Sequence, residues 1–189
     1  MNQLQKQCLN SYFETVSKAL HKINLEELIT LVDLMKICQE KNGIIFTCGN
    51  GGSAATASHF TGDILKGLSF PGKKRFKSIC LSDNQAGMMA IANDISYEYI
   101  FVEPLKNLLG SNDMLLTFSG SGNSKNILKA IEYGNKRGVP TVSICGFDGG
   151  EAKKIARCAL HVSVDDMEAS EDIHMIMMHA VKKIWMSSL

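Results

Sequence analysis

The residues able to do chemistry in this chain fall into two histidine-bearing segments and two glycine-rich loops. In His59-Phe60-Thr61-Gly62-Asp63 the imidazole and the carboxylate are four positions apart. On a helix that spacing puts them on one face, where they can meet a common ion or substrate. The segment Glu171-Asp172-Ile173-His174-Met175-Ile176-Met177-Met178-His179 offers a second polar set. Glu171 and His179 are eight apart, a little over two turns, and so share a face, with His174 off that stripe. The competing reading makes His59 a satisfied half-buried histidine, Asp63 a solvated helix carboxylate and His179 a core residue. Met175, Met177, Met178 and Met186 read as core or interface filler, and His21 and His161 carry no motif.

The first loop is Cys48-Gly49-Asn50-Gly51-Gly52-Ser53 and the second Ser119-Gly120-Ser121-Gly122-Asn123-Ser124. Glycines permit positive φ and close backbone approach. Hydroxyls and free N–H groups beside a helix N-terminus suit a phosphate dianion. Neither loop has the Gly-Lys-Ser/Thr ending of a P-loop or the G-x-G-x-x-G pattern, which disfavours a nucleoside triphosphatase and a dinucleotide fold. Two tight turns with helix caps are the alternative; two such loops, both at expected strand ends, favour a ligand.

The elements that must position these groups follow from hydropathy. Apolar residues at helical spacing run from Leu4 to Ile23, and Asn24 is expected to cap a second helix ending near Glu40. β-rich runs at 44–48, 79–81, 114–118, 141–145 and 161–164 alternate with helical patterns at 54–65, 86–91, 124–137, 150–156 and 168–187. That alternation predicts βαβ units and a buried parallel sheet, with right-handed crossovers placing helices on both faces. The expected fold is α/β, a three-layer α/β/α sandwich preceded by an N-terminal helical hairpin. One domain is expected over 1–189: the hairpin at 1–41, contributing to a subunit interface, and the sandwich at 42–189. In such sheets ligands bind beyond the carboxyl ends of the strands, where both loops lie.

Composition narrows the class. An apolar share of 45% supports a core without staples. Twenty basic against nineteen acidic residues, net +1, leave no footprint for nucleic acid. The six cysteines form no C-x-x-C pair, and several lie in apolar runs, so reduced thiols are expected. No apolar run approaches the ~20 residues of a membrane span, and the first residues lack the apolar run of a signal peptide. A cytoplasmic protein with no membrane partner is expected.

Taken together, Gly49-Asn50-Gly51-Gly52-Ser53, Ser119-Gly120-Ser121-Gly122-Asn123-Ser124 and Gly146-Phe147-Asp148-Gly149-Gly150 resemble the sugar isomerase (SIS) family. With the histidine segments, they resemble most closely its phosphoheptose isomerase branch. The resemblance implies isomerisation of sedoheptulose 7-phosphate to D-glycero-D-manno-heptose 7-phosphate, feeding lipopolysaccharide, capsule or other glycans. It implies substrate binding by Asn50, Gly51, Gly52, Ser53, Asn93, Asp94, Ser119, Gly120, Ser121, Ser124 and Glu171. It implies Asp63 and His179 as the acid–base pair. One zinc per subunit would be held by His59, Asp63, Glu171 and His179, a donor set that also suits zinc chemically. A side chain saturated by metal is a poor base, so the ligand and acid–base roles compete. A homotetramer with sites at subunit boundaries is implied as well. Two departures stand out: the family usually has glutamate where Asp63 stands and glutamine where Glu171 stands. Asp63 is shorter by one C–C bond, about 1.5 Å. The alternatives are an isomerase for another sugar phosphate, or a non-enzymatic SIS protein that binds a phosphosugar or a replication initiator.

Overall fold

The computed structural model describes residues 2–70 and 74–187. Asparagines open the first two helices. The side chain of Asn2 accepts the Gln5 N–H at 2.9 Å, and the Gln5 side chain accepts the Asn2 N–H at 2.8 Å, starting α1 (Gln3–Leu20). Asn24, as expected, accepts the Glu26 N–H at 3.1 Å and starts α2 (Leu25–Glu40). Such caps satisfy N–H groups that have no partner within the helix. α2 buries Leu28, Leu31, Met35 and Cys38, whereas α1 buries Ala19 alone and leaves Leu4, Leu9 and Phe13 exposed.

The strands are β1 (Ile44–Gly49), β2 (Lys77–Cys80), β3 (Met114–Ser119), β4 (Thr141–Cys145) and β5 (Cys158–His161). They form one parallel sheet in the order β2-β1-β3-β4-β5. Every residue of β3 and β4 is buried, the small polar Thr117, Ser119, Thr141 and Ser143 included, as in strands covered on both faces. The connecting helices are α3 (Gly51–Gly62), α4 (Gln85–Asp94), α5 (Val102–Leu108), α6 (Lys125–Lys136), α7 (Gly150–Ile155) and α8 (Met167–Ser187). One core unites α2, α3 and α8 through Leu31, Met35, Phe60, Ile173, Met177 and Val181. The other unites α5 and α6 through Phe101, Leu105, Ile127 and Ile131. Two cores on opposite faces of one sheet make the three expected layers. All six cysteines are free, and among the described residues no helix is long and apolar enough to cross a membrane.

Three elements differ from the sequence expectation. β5 lies three residues earlier than 161–164, because its hydrogen-bond register starts at Val142↔Cys158 and ends at Cys145↔His161. α5 carried no periodic signal; Pro104 sits in its first turn, where no N–H is needed. The helix expected over 54–65 changes winding at Asp63 and continues as a π-helix over Asp63–Leu68.

Candidate active site

From β1 the chain runs to β2 on one side and later returns to β3 on the other. The strand order therefore reverses between β1 and β3, and the loops leaving these two strands face each other across a crevice. A cleft of about 300 Å³ opens there, lined by both loops together with Met167 and Glu171 of α8. Ser53, Ser119, Ser121 and Ser124 all line it. Ser119 and Ser121 accept backbone N–H groups of their own loop at 3.1 and 3.2 Å, which fixes the loop's shape. Ser124 stands at the N-terminus of α6 yet makes no side-chain capping bond, so its hydroxyl is available to a ligand. At Gly52 a Cβ would lie 2.0 Å from a Glu171 carboxylate oxygen, so a side chain there would displace that carboxylate from its seat against α3. The Glu171 carboxylate accepts the Ser53 hydroxyl at 3.3 Å. Asn50 is held by Asn126 at 2.8 Å and by the Tyr97 hydroxyl at 2.9 Å.

α3 and α8 lie side by side and parallel, as their paired contacts require. Gly52 and Ser53 meet Glu171, and one to two turns further His59 meets His179. Beyond them Asp63 meets Lys182. The two imidazole Nε2 atoms are 3.2 Å apart with edge-on rings. Asp63 Oδ2 is 3.7 Å from His59 Nε2 and 3.9 Å from His179 Nε2. The Lys182 ammonium donates to the other oxygen, Oδ1. The Asp63 side chain is only 13% exposed, and Oδ2 is buried without a hydrogen-bond partner. Ligand atoms about 2.0–2.1 Å from a tetrahedral zinc ion stand about 3.3–3.4 Å apart. The observed edges of 3.2, 3.7 and 3.9 Å come within a few tenths of that. An orphaned carboxylate oxygen facing two imidazoles is the donor set such an ion requires, so the residues fit the metal. The one missing methylene does not keep Asp63 from the imidazole pair.

The structure brings His59, Asp63 and His179 together but does not bring Glu171 to them. Glu171 is two turns back along α8, in the cleft. Asn93 and Asp94 end α4 at the surface, bonded to each other at 2.8 Å, and neither lines the cleft. Asn126, Tyr97 and Lys182 are polar partners of the site that sequence reasoning missed. Lys182 lies eleven residues after Glu171, on the same helical stripe, which was the available signal.

Comparison with known proteins identifies the family and the fold. The SIS domain family profile matches residues 11–146. A phosphoheptose isomerase of Helicobacter pylori (strain P12) is 38% identical over 176 residues, 93% of this chain and 90% of that protein. The solved phosphoheptose isomerase of Francisella tularensis superposes with a TM-score of 0.89 at 27% identity, covering 98% of each chain. That of Neisseria gonorrhoeae gives 0.88 at 26% identity, covering 97% of this chain and 99% of the other.

Proposed function

The chain belongs to the phosphoheptose isomerases of the SIS domain family, and from that premise we propose that it converts sedoheptulose 7-phosphate to D-glycero-D-manno-heptose 7-phosphate for glycan synthesis. The observation that carries the substrate is a length. From Ser53 to His59 is six residues along α3, and from Glu171 to His179 eight along α8. At 1.5 Å per residue the Ser53–Glu171 wall of the cleft therefore lies about 9–12 Å along the two helices from the imidazole pair. An extended seven-carbon chain with its terminal phosphate spans about 10 Å; a five-carbon one falls about 2.5 Å short.

With Ser119, Ser121, Ser124 and the N–H groups at the start of α6 holding the phosphate, C1 and C2 reach the histidines. Asp63 Oδ2, unpartnered and turned toward them, takes a proton from C1 of the ketose. His179 gives a proton to the C2 carbonyl oxygen, and an ene-diol results. Asp63 returns its proton to C2 while His179 removes the one on the C1 hydroxyl, leaving the aldose. Zinc held by His59, Asp63 and His179 would supply Lewis-acid polarisation of the carbonyl. Ligation and base work draw on the same Asp63 oxygen, and metal removal separates them. Glu171 in the cleft is suited to receive sugar hydroxyls rather than metal.

The protein is proposed to act as a homotetramer in the cytoplasm, as one domain. Supporting the assembly, the His59 and His179 side chains are 50% and 49% exposed in the single chain, and α1 carries uncovered Leu4, Leu9 and Phe13. A purely binding SIS protein has no use for an assembled carboxylate–imidazole cluster. The test is incubation of the purified protein with sedoheptulose 7-phosphate and, separately, ribulose 5-phosphate, with zinc and with chelator, following aldose formation. Turnover of the heptulose far above the pentulose is expected; no turnover under any condition overturns the proposal.

A further inference from the structure

Lys182 belongs to none of the roles so far assigned, yet it grips one of the two oxygens of the central carboxylate. Its path there is prepared by the backbone. Gly67, in the π-helical segment, would place a Cβ 2.7 Å from Lys182 Cε and 3.0 Å from Nζ. Any larger residue at 67 would push the lysine away. The same Cβ would lie 3.4 Å from Asp63 Oδ1, so Gly67, Lys182 and Asp63 form one packed unit. The side chain is about one-third exposed, at 34%, so its ammonium is partly desolvated and screened less than a free surface charge.

We infer that Lys182 is a positioning residue that makes Asp63 a one-oxygen ligand and weakens the site's hold on a divalent cation. This rests on the reading of His59, Asp63 and His179 as the zinc-binding group. Two consequences follow from the contact. Oδ1 is occupied, so Oδ2 is held toward the imidazoles and two-oxygen ligation is blocked. The lysine also cancels the only negative charge among the three donors, which lowers the attraction for a doubly charged ion. Opposing these, removing the lysine frees the Asp63 rotamer, a cost to binding of one restrained side chain. A full positive charge a few ångströms from the ion outweighs that, even after discounting for partial exposure.

The test uses the full-length protein stripped of metal by dialysis, with zinc alone as the probe and a chromophoric chelator as competitor. Lys182→Met keeps the length and removes the charge; it is expected to bind zinc at least about tenfold more tightly. Lys182→Arg keeps the charge and is expected to stay near the unaltered protein. Lys182→Gln serves if the methionine variant does not fold. An unchanged or weaker affinity in the uncharged variant overturns the inference, as does an absence of zinc binding in every form. Turnover is measured separately: zinc binding that follows this order in a protein inactive on sedoheptulose 7-phosphate would sink the isomerase reading and leave this one standing.

Discussion

Removing His174 is expected to make the protein much less sensitive to acid. His174 lies on α8, fully buried, with no well-formed hydrogen bond to either ring nitrogen; a weak contact with the Cys145 backbone only partly opposes the effect of burial. Burial pushes its pKa down from 6.5 to about 4. The unfolded chain therefore binds a proton between those pH values that the folded chain refuses, and stability falls as pH drops from about 6.5 toward 4. From the two pKa values the loss is about 2 kcal/mol by pH 5 and about 3 kcal/mol by pH 4, and near zero at pH 7.5. His174→Leu deletes this contribution while keeping an apolar side chain of similar bulk. Urea unfolding at pH 7.5, 6 and 5, at one fixed protein concentration because assembly shifts the midpoint, gives the comparison. Carboxylates titrate alike in both proteins, so the difference of the two pH slopes isolates the histidine. Parallel slopes, with the variant losing as much as the unaltered protein between pH 7.5 and 5, would refute the reasoning.

Three other outcomes are expected of the site. Ser124→Ala should raise KM for sedoheptulose 7-phosphate about tenfold, the worth of one hydrogen bond to a charged group. Because Ser124 makes no side-chain capping bond, its thermal midpoint should hardly move. Asp63→Asn keeps the shape and removes the charge; kcat/KM should fall about 10²–10⁴-fold, read in the coupled aldose assay. Dialysis against chelator should lower kcat, and added zinc should restore it; activity indifferent to both would assign Asp63 and His179 to proton transfer alone.

Much of this arrangement was legible in the residues, and the gaps have physical causes. The short β-rich runs of β1, β3 and β4, free of charged residues and separated by helical patterns, name the parallel sheet because strands buried on both faces need no solvated face. β5 is an edge strand with partly exposed residues, so hydropathy marked its position poorly and the ladder to β4 decided it. The i, i+4 pairing of His59 with Asp63 follows from helix geometry and was visible in advance. Glu171 shares a stripe with His179, but a stripe is long: two turns of helix separate the cleft from the imidazole pair. Lys182 was missed because a lysine late in a helix ordinarily reads as a solvated charge. Its partner is 119 positions away in the chain, so the stripe it shares with Glu171 marks its helix face but not its contact with Asp63.

The side-by-side run of α3 and α8 has an evolutionary corollary. Sliding one helix past the other by a turn would change the reach by about 5.4 Å, the equivalent of some four carbons, which is too coarse to adapt between neighbouring sugars. Fine adjustment must instead come from the side chains at the far end. There, exchanging aspartate for glutamate alters the reach by about one carbon–carbon bond. Position 63 is thus a vernier on a scale whose main divisions are helical turns.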